Sequence, residues 1–246
     1  MADWFESWFD TTYYHKLYFK RDDREAEDFI DRLLAWLQPA AGASMLDVAC
    51  GRGRHSIQLA NKGFDVTGID LSDSSIAFAK QFEADNLHFY RHDMRQPFRI
   101  NYFDFAFNFF TSFGYFRTRR EHDAALRTIA QALHRDGVLV IDYLNRHYIE
   151  DHLVYSTDKE VDGVNYHITR WMDEDYFYKK IEVEDESLSE PYVYTEKVSK
   201  FSLGDFTDML AYQGMQITEV FGDYNLSPYH VRKVPRMIMV AKKIKY

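Results

Sequence analysis

The feature that most constrains this chain is the apolar run Met45-Leu-Asp-Val-Ala-Cys50, which breaks into Gly51-Arg-Gly53 and then into a helix-forming segment. A short apolar run ended by glycines reads as a buried strand followed by a tight turn. The helix carried by Ile57, Leu59 and Ala60 stops where Gly63 supplies a C-terminal cap, and Phe64-Asp-Val-Thr-Gly-Ile69 is a second strand ending at Asp70. In an open parallel sheet, ligands bind beyond the carboxyl ends of the strands, at the switch point beside the first strand. Glycine lets the backbone turn sharply there and approach a ligand. The helix beginning near Arg54 aims N–H groups and a positive dipole end at that space, which favours a carboxylate or phosphate. Asp47, inside the apolar strand end, needs hydrogen-bond donors. Asp70 stands where an acid can accept both hydroxyls of a ribose.

The first forty residues read as helical: Tyr14, Leu17 and Tyr18 share one face, and Phe29, Ile30, Leu33, Leu34 and Leu37 recur at helical spacing before Pro39 and Gly42. After Asp70, Ser72 or Asp73 caps a helix running through Lys80. Leu87–Tyr90 is a third strand ending near Asp93, and Phe103–Phe109 is a fourth. A helix around Arg119–Leu133 and a turn at Asp136-Gly137 lead into a fifth, Val138–Tyr143. This alternation predicts a parallel sheet with helices on both faces, an α/β fold. After Asn145 the pattern changes. Asp162-Gly163 and Asp173-Glu-Asp175 read as hairpin turns between antiparallel strands over Val164–Trp171, Tyr176–Glu184 and Tyr192–Phe201. Ser202-Leu-Gly-Asp205 reads as a capping box opening a helix that Gly214 closes, and two strands follow, Met215–Phe221 and Met237–Ile244. The expected organisation is a helical cap over 1–42, a core over 43–145 and 202–246, and an inserted antiparallel lid over 146–201.

The 246 residues, 46% hydrophobic and 17% aromatic, suffice for one large domain with an embedded accessory piece. A balance of 30 Lys+Arg against 39 Asp+Glu argues against nucleic acid or an anionic membrane as main partner, because phosphate binding needs a basic face. The single cysteine, Cys50, leaves no internal disulfide and suits a reducing cytoplasm. No run approaches the roughly 18–20 apolar residues of a membrane span, and the first residues lack a basic-then-apolar leader, so a cytoplasmic protein is expected. His88, His92 and His134 show no metal-ligand spacing, and no metal is expected.

A dinucleotide-binding loop carries a third glycine where Ser56 stands here. Leu46-Asp-Val-Ala-Cys-Gly-Arg-Gly-Arg-His55 instead resembles the cofactor loop of class I S-adenosylmethionine-dependent methyltransferases. Gly68-Ile-Asp70-Leu71-Ser72 is similar to that family's second-strand motif, and Arg91-His-Asp93-Met94 to the segment that brackets the adenine. Asn108-Phe-Phe-Thr-Ser-Phe-Gly-Tyr-Phe116 resembles the fourth-strand segment of small-molecule members. The resemblance covers about residues 40–145 and the Pro235–Lys242 strand. Ala49 departs from the family's usual glycine by the mildest exchange.

This resemblance implies a Rossmann-like, seven-stranded, doubly wound sheet with its last strand antiparallel, plus an inserted antiparallel lid over the substrate. It also implies S-adenosyl-L-methionine as cofactor and a small-molecule acceptor methylated by in-line displacement. By the same resemblance, Gly51 and the neighbouring backbone line the methionine part, Asp70 takes the ribose hydroxyls, Asp93 with Met94 holds the adenine, and Asp47, Ala49, Arg52 and Gly53 belong to the cofactor site. Leu71, Asn108, Phe109 and Tyr18 complete the expected cofactor site.

Displacement at a sulfonium needs in-line positioning and exclusion of water more than strong acid–base machinery, so the lack of an obvious catalytic dyad is no objection. Aromatic faces and tyrosine hydroxyls suit the sulfonium. The candidates are Tyr13, Tyr14 and Tyr18 on the first helix and Tyr115 after the fourth strand, with Tyr14 and Tyr115 the expected catalytic pair. Arg21 is a candidate partner for the cofactor carboxylate, although Arg21-Asp-Asp-Arg24 is more simply a solvated charged run. His55 serves to orient the loop, and Cys50 reads as a small buried residue. Trp171 is expected near the cleft, and Tyr176-Phe-Tyr-Lys-Lys180 reads as a strand with one wet face. Three other readings are weaker. Ser56 argues against a nicotinamide-dependent oxidoreductase. Intact Asp70, Asp93 and the aromatic segment argue against a cofactor-binding regulator without catalysis. A methyltransferase for protein or RNA shares the motifs, with RNA disfavoured by the acidic charge.

Overall fold

The computed structural model describes residues 8–19 and 23–244. Two helices, α1 (Thr12–Phe19) and α2 (Asp23–Leu37), precede β1 (Ser44–Val48), α3 (Arg54–Asn61), β2 (Asp65–Asp70), α4 (Asp73–Ala79), β3 (Leu87–Arg91) and β4 (Phe103–Asn108). Next come α5 (Arg119–Ala132), β5 (Leu133–Leu144), α6 (Arg146–Asp151) and four strands, β6 (Ser156–Val161), β7 (Val164–Met172), β8 (Tyr176–Glu184) and β9 (Tyr192–Ser199). The last elements are α7 (Leu203–Tyr212), β10 (Met215–Phe221) and β11 (Arg236–Lys243).

Seven strands form one sheet in the order β10-β11-β5-β4-β1-β2-β3. Strands β1 to β5 pair in parallel, and β11 runs antiparallel to both neighbours. This is the doubly wound topology expected. Side-chain alternation along each strand divides the core in two. Met45, Val66, Phe107 and Val140 point to one face, where α2 and α3 supply Phe29, Ile30, Leu33 and Leu59. Leu46, Ala106, Leu139 and Met239 point to the other, under α5 and α7. Each fully buried Leu, Ile or Phe stabilises by roughly 1.5–3 kcal/mol, so both helix layers are held firmly. The chain leaves β3 and returns through β4 on the opposite side of β1. The switch point, where a crevice must open, therefore lies between β1 and β4.

Local signals place the helices. Ser72 caps α4 by accepting from Ser75 N–H, and Ser202 with Asp205 forms a capping box on α7. Asp136-Gly137 is not a turn preceding β5 but an irregularity within it: Leu133 pairs with Phe103, and the register then shifts so that Val138 pairs with Phe105.

The second sheet is antiparallel, in the order β6-β7-β8-β9. The sequence predicts only three of these strands. Ser156-Thr-Asp-Lys-Glu-Val161 is a polar edge strand without the alternation that marks a buried face. Val164, Tyr166, Ile168, Ile181 and Val183 form the buried side, and Trp8 and Leu17 complete that cluster. The two N-terminal helices thus go separate ways: α2 packs on the core sheet, while α1 and Trp8 pack on the inserted sheet. Polar contacts reinforce the second attachment. Glu196 of β9 accepts from Trp8 Nε1 at 2.8 Å and from the Tyr18 hydroxyl at 3.1 Å. Lys179 of β8 donates to the Tyr18 hydroxyl and pairs with Glu196 at 3.5 Å.

Candidate active site

The loop after β1 is built from left-handed residues: φ is +59° at Ala49, +56° at Gly51 and +82° at Gly53. A β-carbon in that conformation costs roughly 1–2 kcal/mol, so Ala49 is strained and the two glycines are not. The glycines serve different ends. A Cβ on Gly53 would lie 2.6 Å from Phe89 Cζ and 3.3 Å from Ala79 Cβ, so that glycine lets the loop pack on β3 and α4. A Cβ on Gly51 would meet no atom of the described residues within 4 Å and would project into open space. Asp70, at the tip of β2, accepts from Gly51 N–H at 2.8 Å and from Ser72 N–H at 2.9 Å, one on each carboxylate oxygen. Burial pushes its pKa above the ordinary carboxylate value, opposed by those N–H bonds.

Asp47 is 2% exposed and accepts from the Ser56 hydroxyl at 2.6 Å. Burial lifts its pKa to about 6, with the Ser56 hydrogen bond opposing. An acid whose folded pKa lies above its unfolded value destabilises the fold most when ionised: the penalty is complete above pH 6 and is relieved as pH falls from 6 towards 4. About two pKa units correspond to roughly 3 kcal/mol. Asp47→Asn keeps an acceptor for Ser56 and removes the charge. The ligand-free variant should melt several degrees above wild type at pH 7.5, with the gap closing by about pH 4.5. Melting curves across that range decide it, and a constant gap would contradict the raised pKa.

A cavity of about 480 Å³ opens at the carboxyl edge of the sheet, within the range of small-molecule sites. Of the residues expected from sequence, Asp47, Ala49, Gly51, Arg52, Asp70, Leu71, Asp93, Met94 and Phe109 line it on the core side. Tyr14, Tyr18 and Tyr115 line it from α1 and the segment after β4. Gly53 and Asn108 do not line it. Asn108 is 1% exposed and donates through Nδ2 to Val48 O at 3.0 Å, tying β4 to β1 behind the loop. Asp93 lines the cavity with its carboxylate already gripped by Arg95, whose Nη2 donates at 2.8 Å. Burial raises its pKa, but the Arg95 hydrogen bonds outweigh that and hold it low. Tyr13 and Trp171 are not on the cavity wall. Trp171 stacks on Tyr178, centroids 5.1 Å apart, on the exposed side of the lid. Its parity is opposite to that of the inward-facing Tyr166 and Ile168. Arg21 lies outside the described residues. Cys50 is buried, and burial pushes its thiol well above the ordinary range, as suits a packing residue.

The structure adds residues that the sequence did not single out. Phe9 contacts Tyr14 and Tyr115 edge-on, at 4.9 and 5.4 Å, and joins α1 to the segment after β4 in one aromatic wall. That segment begins with Phe110 and Thr111, both left-handed at φ +55° and +60°. Asp142, fully buried, accepts from Phe110 N–H at 2.8 Å and from the Tyr224 hydroxyl at 3.0 Å. Arg236 donates through Nε to Asp142 at 2.8 Å and through Nη2 to Thr111 Oγ1 at 2.8 Å. The ion pair therefore holds two strained residues and, through them, the segment carrying Tyr115. An acid inside Val-Leu-Val-Ile-Asp142 was the only available signal, and nothing in the sequence pairs it with Arg236. Asp10 makes a further link, accepting from the hydroxyls of Ser72 and Ser74 beside Asp70. No group of residues suited to a metal occurs among those described.

A crevice at the β1/β4 switch point, an acid at the tip of β2 and a glycine opening into the cavity are the arrangement by which a doubly wound sheet takes a ligand. Residues 39–190 match the family model described as "Methyltransferase domain", and the chain belongs to that family. A dTDP-3-amino-3,4,6-trideoxy-alpha-D-glucopyranose N,N-dimethyltransferase from Streptomyces venezuelae is 36% identical over 120 residues, which cover 48% of this chain and 48% of that protein. The chain spans about half the length of the curated relatives it matches. Among solved structures, the CcbJ methyltransferase from Streptomyces caelestis superposes with a TM-score of 0.79 at 14% identity, covering 97% of this chain and 98% of that one. An S-adenosylmethionine-dependent methyltransferase from Clostridium acetobutylicum ATCC 824 gives 0.76 at 18% identity, covering 94% and 95%. At such identities these likenesses establish the fold.

Proposed function

We propose that the chain is an S-adenosylmethionine-dependent methyltransferase acting on an amino group of a small molecule. The observation that carries this reading is the cavity itself. One wall gathers Asp47, Gly51, Asp70, Asp93 and Met94, and the other gathers Phe9, Tyr14, Tyr18 and Tyr115. The residues fit the cofactor: the missing Cβ of Gly51 leaves room, and Asp70 is positioned beside that room by two backbone amides. In this reading Asp70 receives the ribose, Asp93 and Met94 the adenine, and the loop of Asp47, Ala49, Gly51 and Arg52 the methionine end. Gly53 and Asn108 shape the loop from behind. The name of the amino-sugar dimethyltransferase relative supports nitrogen as the acceptor atom.

When bound, S-adenosylmethionine supplies an electrophilic methyl on a sulfonium that leaves as a neutral thioether. The chain's residues orient, shield and solvate. Tyr14 and Tyr115, joined through Phe9, place aromatic faces and hydroxyls where the sulfonium charge is lost. The Asp142–Arg236 pair keeps Tyr115 in place, and α1, which rests on the inserted sheet through Leu17, walls the cavity against water with Tyr14 and Tyr18. No helix among the described residues is long and apolar enough to cross a membrane. The lone buried Cys50 and the acidic balance support a cytoplasmic location and a small-molecule rather than nucleic-acid partner.

Tyr115→Phe keeps the ring and removes the hydroxyl. Turnover on amino sugars and simple amines should fall by about 10- to 100-fold, or roughly 1.4–2.7 kcal/mol, with cofactor affinity little changed. Parallel losses in turnover, cofactor affinity and melting temperature would make Tyr115 a packing residue. Transfer to hydroxyl acceptors but to no amine would overturn the choice of nitrogen.

A further inference from the structure

The buried face of the inserted sheet holds two charges where its alternation calls for apolar side chains. Along β8 that face carries Phe177, Ile181 and Val183, and position 179 in the same alternation is lysine. Along β9 Tyr194 lies on it, and position 196, two residues on, is glutamate. Lys179 and Glu196 are cross-strand partners. Their charged ends are 3.5 Å apart, and the side chains are only 19% and 13% exposed. Withdrawing two charges from water costs about as much as their attraction returns, so such a pair adds little stability over an apolar one. Its use lies in the directions it imposes. Glu196 Oε1 accepts from Trp8 Nε1 at 2.8 Å and from the Tyr18 hydroxyl at 3.1 Å. Lys179 donates to the same hydroxyl and lies 4.6 Å over the Tyr18 ring.

Apolar contact through Trp8 and Leu17 holds α1 against the sheet but has no preferred direction, whereas hydrogen bonds do. Glu196 takes one bond from before α1 and one from its last turn, which together fix the helix in position and in rotation. Tyr18 lines the cavity, and its ring meets that of Tyr14 at 4.8 Å. A rotation of α1 about its axis would carry both rings out of the wall. We propose that Glu196, paired with Lys179, is a positioning residue for methyl transfer. It acts through Tyr18: it seats α1 so that Tyr14 and Tyr18 face the cavity, and it does not hold the inserted sheet together. This rests on the cofactor reading above. Neither Glu196 nor Lys179 is on the cavity wall.

Two double variants of the intact chain separate direction from charge. Lys179→Met with Glu196→Gln removes both charges and keeps a carbonyl oxygen for Trp8 and Tyr18. Lys179→Met with Glu196→Leu removes that acceptor as well. Hydrogen exchange on the ligand-free proteins reads the seat of α1, and stopped-flow release of S-adenosylhomocysteine reads the cavity. In the Leu variant the amides of α1 should exchange about 10-fold faster than in wild type, while β7 and β8 stay equally protected. The same variant should release S-adenosylhomocysteine about 10-fold faster. The Gln variant should match wild type in both. Unchanged α1 exchange in the Leu variant would overturn the inference, because apolar contacts alone would then seat the helix. Joint loss of protection in α1, β7 and β8 would also overturn it and make the pair a stabiliser of the sheet. So would a Gln variant as loose as the Leu variant, since charge and not the hydrogen bonds would then place α1. Faster exchange without faster release would overturn it too, while leaving the cofactor reading intact. Folded wild type that binds no S-adenosylhomocysteine would remove the cofactor reading, and this inference with it.

Discussion

Gly51→Val should raise the dissociation constant for S-adenosylmethionine at least 100-fold while the protein stays folded. The two effects separate because the added atoms meet the ligand space and not the protein. A Cβ at position 51 has no atom of the described residues within 4 Å, so no core contact is disturbed. The backbone cost is real but limited: φ at this position is +56°, and an L-residue there is strained by roughly 1–2 kcal/mol. For a chain of this length that lowers melting by only a few degrees. Gly53→Val supplies the contrast. Its Cβ would drive into the Phe89 ring, with the nearest ring carbon 2.6 Å away, so folding and binding should fail together. Near-normal binding by Gly51→Val with unchanged melting would show that the loop stays clear of the ligand.

Asp70→Ala should weaken cofactor binding by more than the roughly 10- to 150-fold, or 1.5–3 kcal/mol, expected from losing hydrogen bonds to two hydroxyls. Asp70 also accepts from Gly51 N–H and Ser72 N–H, and alanine releases both the loop and the start of α4. Asp70→Asn restores one acceptor oxygen but turns an N–H₂ towards one of those two donors, so it should fall between alanine and wild type. The fold should tolerate both changes, because the buried carboxylate is itself poorly solvated. Calorimetry with S-adenosylmethionine and NAD on all three proteins decides the matter. Equal affinities across the series would sink the ribose assignment, and tight NAD binding would sink the choice of cofactor.

What was legible in the sequence was local. The strand, glycine turn, helix, strand and acid from Met45 to Asp70 are encoded within single elements and their caps, and they fold as read. The contacts that finish the site span the chain: Asp142 with Arg236, and Phe9 with Tyr115. No periodicity reports such pairs. Trp171 shows how narrowly strand reading can miss. Its strand was located correctly, but with Val164, Tyr166 and Ile168 facing inward, an odd offset from them carries Trp171 to the wet side. Strand β6 escaped because an exposed edge strand needs no apolar alternation. Asp93 was placed at the cavity, yet its partner Arg95, two residues on, went unremarked although it grips both carboxylate oxygens.

The segment before α2 serves two compartments at once. Trp8 and Leu17 sit in the apolar cluster of the inserted sheet, while Phe9, Tyr14 and Tyr18 face the cavity. In evolutionary terms, the unit that can be exchanged between relatives is therefore not the inserted sheet alone. A lid from another chain, grafted without its own counterpart of residues 8–19, would leave Trp8 and Leu17 facing a surface that does not fit them. Losing such fully packed side chains costs roughly 2–5 kcal/mol each, a large part of a typical folding free energy. Divergence of the inserted sheet must then have proceeded together with that of residues 8–19, with the glycine loop between them in the chain free to stay as it was.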